Sequence, residues 1–85
     1  MTYEIKWTAV SLKQLEKLDK SLAKRIVDKV EYITQDPFVF VKKLKGFNLY
    51  RLRVGDYRII MSIEQKKMII FVLEVGQRSV IYRKY

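Results

Sequence analysis

Five of the six arginines, Arg51, Arg53, Arg58, Arg78 and Arg83, fall in the stretches YRLRVGDYRII and LEVGQRSVIYRKY, interleaved with tyrosines. A guanidinium is planar, presents a fixed fork of donors and stays protonated, so clustered arginines suit phosphate oxygens. The lysines that dominate the N-terminal half act as flexible point charges. Arg51 and Arg53 alternate with Tyr50, Leu52 and Val54, the period of a strand with one cationic face. The next strand has Tyr57, Ile59, Met61 and Ile63 on one side and Arg58, Ile60, Ser62 and Glu64 on the other. If the apolar sides match, Arg58 joins Arg51 and Arg53 on the outer face, and Arg78, just past Gly76, stands at a strand end nearby. Such charges repel one another unless an anion sits among them. The surface suits an RNA strand, with guanidiniums on phosphates and an aromatic ring as base platform. Of the candidates Tyr57, Tyr82 and Phe47, Tyr82 is favoured, because Tyr50 and Tyr57 have core-facing parity. The alternative is a solvated basic face.

Composition narrows the chemistry. The 85 residues make one domain, and no histidine or cysteine is present, so imidazole catalysis, disulfides and thiolate metal sites are excluded. The arginine-rich half has no DxD or ExxE pair, which argues against a metal-dependent nuclease, and no cofactor is called for. Net charge of +9 points to a polyanion or an acidic protein as partner. The longest apolar runs are far short of a membrane span and no signal-like apolar core follows Met1, so the expectation is a soluble cytoplasmic protein with no membrane partner.

The elements that must carry these residues are legible in the hydropathy period. Tyr3–Trp7 alternates like a half-buried strand, and Thr8 then caps a short helix with Leu12, Leu15 and Leu18 on its face. Capping residues at Asp19–Ser21 open a second helix, with Leu22, Ile26, Val30 and Ile33 at helical spacing, which ends before Asp36-Pro37. Phe38–Gly46 reads as a connector carrying Lys42, Lys43 and Lys45. Strands over Tyr50–Val54, Tyr57–Ile63 and Met68–Val75 follow, turning at Gly55-Asp56 and Gln65-Lys67, with Gly76 breaking the third. The tail Ser79–Tyr85 reads as a short strand or a frayed end. The order β-α-α-β-β-β, with a possible further strand, predicts an α+β domain in which an antiparallel sheet, the first strand included, packs on an N-terminal helical hairpin.

The N-terminal strand and hairpin, the basic connector ending in Lys45-Gly46, YRLRVGDYRII and VGQRSVIY together resemble the RelE branch of the RelE/ParE toxin superfamily, over nearly the whole chain. The resemblance implies the toxin of a toxin–antitoxin pair that enters the ribosome and cuts messenger RNA without metal. The ribose 2′-hydroxyl attacks its own 3′ phosphate and leaves a cyclic phosphate. It assigns catalytic roles to Arg51 and Arg53, at the family's basic pair, to Arg58 as phosphate-stabilising arginine, to Arg78 in VG-x-R, and to Tyr82. RNA contacts are expected from Lys43, Lys45, Arg51, Arg53, Arg58 and Arg78.

The best-known members have lysines at the basic pair, and an arginine cannot readily act as a base. Proton transfer is therefore expected to rest on Tyr82, with Lys45 second, while Gln77, where many relatives have histidine, cannot titrate. Arg83 and Lys84 read as a basic tail, Asp56 as a turn residue and Glu74 as an outer-face partner for a lysine or arginine. The resemblance also implies a cognate antitoxin, with ribosome and messenger RNA as further partners. A ParE-like poison of DNA gyrase and a non-catalytic RNA-binding module are the competing functions.

Overall fold

The fold, a computed structural model describing residues 2–85, begins with β1 (Glu4–Trp7), α1 (Ala9–Glu16) and α2 (Lys20–Tyr32), which runs on into a 3₁₀ turn at Ile33–Gln35. It continues through α3 (Pro37–Phe40), β2 (Val41–Lys43), β3 (Tyr50–Val54), β4 (Tyr57–Glu64), β5 (Ile69–Gln77) and α4 (Arg78–Lys84). Both long helices start where side-chain caps are available. Thr8 Oγ1 accepts from Ser11 N at 3.2 Å, and Asp19 Oδ1 accepts from Leu22 N at 2.8 Å. Each cap contributes about 1 kcal/mol by satisfying an N–H that the helix cannot. Asp36 takes an extended φ of −155° before Pro37, which ends the hairpin and, as the first residue of α3, starts the next helix.

The strands form one sheet in the order β1-β5-β4-β3-β2. Ile26, Val30 and Ile33, one stripe of α2 and its 3₁₀ extension, pack on the inner parity of the sheet, Leu52, Val54, Ile59, Met61, Ile70, Val72 and Val75. Tyr50 and Tyr57 lie against this core, as their parity predicts. Fully burying each aliphatic chain is worth roughly 1.5–3 kcal/mol. A bulge interrupts β4–β5: Ile60 pairs Glu74 and Met61 pairs Val72, which leaves Leu73 unpaired and lets both Val72 and Val75 face the core.

The α+β architecture is the one the period predicts, with four differences. β1 joins the sheet beside β5 in parallel, so the sheet is mixed; the other four strands are antiparallel. Alternation in Tyr3–Trp7 marks the buried face of that strand but carries no information on its direction. The connector is not a loop throughout, since it holds α3 and the edge strand β2. β5 does not break at Gly76, which pairs with Arg58 and continues to Gln77. The tail is a helix, and it covers part of the face that should have been open.

That last difference shapes the site. Ile60 and Ile81 are both fully buried yet stand apart from the main core, because α4 lies over the outer face of β4 and β5 and makes a second, smaller core there. Gly76 permits the approach. A Cβ at this position would lie 3.1 Å from Ile81 Cδ1 and 3.2 Å from Cγ1, so a larger residue obliges Ile81, and the helix that carries it, to give by a few tenths of an ångström. The helix is also tied at its start, where Arg78 N donates to Asp56 O at 2.8 Å. At its far end Glu74 accepts from Lys84 Nζ at 2.6 Å and from the Tyr85 hydroxyl, and Tyr85 stands edge-on to Phe47 with centroids 5.3 Å apart.

Candidate functional site: a cationic cleft around Tyr82

The antiparallel registers assemble the cations. Arg53 pairs Arg58 and Lys42 pairs Arg51, so these four side chains emerge on one face of β2, β3 and β4. Directly opposed like charges oppose pairing in an ordinary sheet. With Phe40, Arg78 and Tyr82 they line a cleft of about 400 Å³. Among the described residues no carboxylate lines it.

Tyr82 stands at the centre because α4 turns it inward. Its ring centroid is 5.1 Å from Arg78 Cζ, one helical turn earlier, and 5.9 Å from both Arg51 Cζ and Arg58 Cζ. Polar contact with the Arg58 guanidinium, then with that of Arg78, favours the phenolate. The nearby Arg51 charge adds to this, and the Tyr82 pKa drops from 10.0 to about 8 against an opposing push from burial. In a chain without histidine, this supplies a cleft group that changes protonation near neutral pH.

Arg58 is the most constrained of the cations. It is 5% exposed, and its Nη1 donates to Gly55 O at 3.0 Å and Tyr57 O at 2.9 Å. Gly55 has φ +57°, so the turn that presents its carbonyl suits glycine. Arg58 Nε is buried without a partner. A buried donor left unpaired costs about 1–3 kcal/mol.

The five residues assigned catalytic roles, Arg51, Arg53, Arg58, Arg78 and Tyr82, therefore meet in one cleft. Lys43 pairs Tyr50 and so has the opposite parity from Lys42, and Lys45 lies in the turn between β2 and β3; neither lines the cleft. Gln77, at the N-cap of α4, is outside the lining too. Glu74 has the basic partner expected of it, Lys84. Lys42 and Phe40 are cleft residues that the sequence reading missed. The signal for Lys42 was the strand parity that puts it opposite Arg51 once Val41–Lys43 is known to be a strand; Phe40, the last residue of α3, had no such signal. Among the described residues no group of three or more Asp or Glu side chains comes together as a metal site, and no helix is long and apolar enough to cross a membrane.

Fold and cleft together define a small basic α+β domain with a cationic cleft around a tyrosine. The family model described as the ParE toxin of type II toxin–antitoxin systems matches residues 5–82. The chain belongs to this family, within the RelE/ParE toxin superfamily. It is 27% identical over 82 residues to the mRNA interferase toxin RelE of Escherichia coli strain K12, covering 93% of this chain and 86% of that protein. The archaeal RelE–RelB complex from Pyrococcus horikoshii OT3 is 34% identical with a TM-score of 0.78, covering 92% of this chain and 97% of that one. The RelBE2 toxin–antitoxin complex from Mycobacterium tuberculosis shares the fold, with a TM-score of 0.85 at 21% identity over 92% of this chain and all of the other.

Proposed function

We propose that this toxin is a ribosome-dependent endoribonuclease that cuts messenger RNA through the substrate's own 2′-hydroxyl. The convergence of Arg51, Arg58 and Arg78 on the Tyr82 ring, inside a cleft without carboxylates, carries the reading. The relative from Escherichia coli is an mRNA interferase by name, which supports it. The 2′ oxygen forms a bond to the adjacent phosphorus while the bond from phosphorus to the 5′ oxygen breaks. The Tyr82 phenolate takes the 2′ proton, and the departing 5′ oxygen is protonated by water. Extra charge on the five-coordinate phosphorus is met by Arg58, held in place before substrate arrives, and by Arg78. Donors fixed where charge develops lower a barrier without reorganising. Arg51, Arg53 and Lys42 grip the flanking phosphates.

The partners in this reading are the ribosome with its message, in the cytoplasm, and a cognate antitoxin. The solved relatives named above are complexes with antitoxins. An acidic segment that folds on a chain of net charge +9 would cover the cleft by charge complementarity. Translating a defined message with purified protein and mapping the new 5′ ends tests the nuclease reading. Cuts inside codons that vanish in Arg78→Ala are expected, and blocked or normal elongation without cuts would sink it. The match to the ParE family model favours a second reading, gyrase poisoning, in which the arginine–tyrosine set is dispensable. Supercoiling inhibited equally by the wild type and Arg78→Ala would select that one.

A further inference from the structure

Beside the cleft lies a second hollow of about 360 Å³, lined by Glu31, Tyr32, Thr34, Gln35, Asp36 and Phe40. Phe40 is a wall of both. Phe40 is 38% exposed and its ring is held by two neighbours: Tyr32 meets it edge-on with centroids 5.4 Å apart, and Lys29 Nζ stands over it, 5.3 Å from its centroid. The placement follows from the chain, because α3 is a single turn that ends at Phe40 and passes straight into β2, whose Lys42 faces the cleft.

The chemistry changes sign across this ring. On one side stand Lys42, Arg51, Arg53, Arg58 and Arg78; on the other are two carboxylates, a carboxamide, the Thr34 hydroxyl and the Tyr32 phenol. Thr34 Oγ1 is already committed as donor to Glu31 O at 2.7 Å, so the hollow presents chiefly acceptors. A second phosphate would be repelled there. A flat, neutral group carrying N–H donors and joined to the phosphate in the cleft satisfies both sides.

We infer that Phe40 is the stacking platform for a nucleobase adjacent to the phosphate held in the cleft, and that Glu31 and Asp36 read the edge of that base. The inference rests on the RNA reading above and adds a base subsite to it. Acceptor groups favour the exocyclic amino groups of guanine, adenine and cytosine. Uracil has no amino group, and its single edge donor, N3–H, is flanked by two carbonyl oxygens that would face the carboxylates, so it is disfavoured.

Binding of short RNAs made uncleavable by 2′-O-methylation, followed by fluorescence anisotropy, tests this without requiring catalysis. Phe40→Leu should weaken binding about tenfold, the scale of one lost base–aromatic stack, and should leave unchanged the binding of a strand that is abasic at the stacked position. Phe40→Trp should restore affinity. No loss, or an equal loss on the abasic strand, would overturn the platform, the latter by showing a purely structural effect. Scanning the four bases should show uracil weakest, and Glu31→Gln combined with Asp36→Asn should narrow that discrimination; unchanged discrimination would overturn the edge reading. A wild type that binds with this base dependence yet makes no cuts on ribosomes fails the nuclease reading alone. Absence of RNA binding overturns the base subsite, while the cuts mapped on ribosomes decide the nuclease reading separately.

Discussion

Tyr82 and Tyr85, one helical turn apart, are driven in opposite directions by their surroundings. Arg58 and then Arg78 stabilise the Tyr82 phenolate and bring its pKa down to about 8. Burial, then the hydrogen bond to Glu74 and the charge of that carboxylate, push Tyr85 up to about 12. Following phenolate absorbance through an alkaline titration should resolve a step near pH 8 that disappears in Tyr82→Phe and a step near 12 that disappears in Tyr85→Phe. Arg78→Gln should shift the first step upward and leave the last in place. If the Tyr82 phenolate takes the 2′ proton, kcat/KM for cleavage should rise about tenfold per pH unit and level off near pH 8, with roughly a tenth of the enzyme in the active form at pH 7. Stability should follow the same groups. The lowered Tyr82 value adds stability only as pH rises from about 8 toward 10.0, whereas the raised Tyr85 value adds stability that is complete below 10.0 and lost as pH climbs through about 12. No tyrosine step near pH 8, or a pH–rate profile that Tyr82→Phe leaves unchanged, would refute the reasoning.

Arg78→Ala should slow cleavage roughly 10²-fold or more with little loss of fold, because Arg78 is exposed; single-turnover rates on programmed ribosomes check it, and a loss below about twofold counts against the role. Arg58→Ala should cut the rate at least as far, and should also lower Tm, since Arg58 is buried and serves the turn at Gly55. Gly76→Ala places a Cβ 3.1 Å from Ile81 Cδ1, so thermal melting should fall by several degrees and the Tyr82 titration should move back toward 10.0 as α4 lifts. Burial pushes the Glu74 carboxyl up, but hydrogen bonds from Lys84 and Tyr85 outweigh it and hold the pKa below 4.5. The stabilisation is present above that value and fades as pH falls through the lowered one. Glu74→Gln should therefore remove about 1 kcal/mol at neutral pH, discounted for the exposed Lys84, and flatten the acid limb of a stability–pH curve.

Local pattern was enough for most elements. Caps at Thr8 and Asp19, the helical stripe Leu22, Ile26, Val30 and Ile33, and period-two alternation through Tyr50–Ile63 all reflect short-range geometry that any fold must respect. Val41–Lys43 escaped notice because three residues carry too little periodicity to reveal a strand, and its pairing with β3 is what creates it. Ser79–Tyr85 was ambiguous for a related reason. Val80, Ile81 and Tyr82 are adjacent in sequence, but only Ile81 is buried, and a seven-residue helix is stable chiefly through the surface it docks on.

Residue types and parity by themselves determined that Arg51, Arg53 and Arg58 share a face, that Arg78 lies close to it, and that Tyr50 and Tyr57 face the core; the role expected of Tyr82 came from the family resemblance. Alternation is a property of the extended chain, and arginine chemistry does not depend on context. Only the tertiary structure decided that the face is a cleft. It folds α4 over Gly76 and brings Tyr82 among three guanidiniums. It adds Lys42 and Phe40 from an edge strand and its preceding turn, and buries Arg58 with an unpaired donor. These depend on contacts between segments far apart in the chain, and a phenol acquires a pKa of about 8 only when those segments close around it.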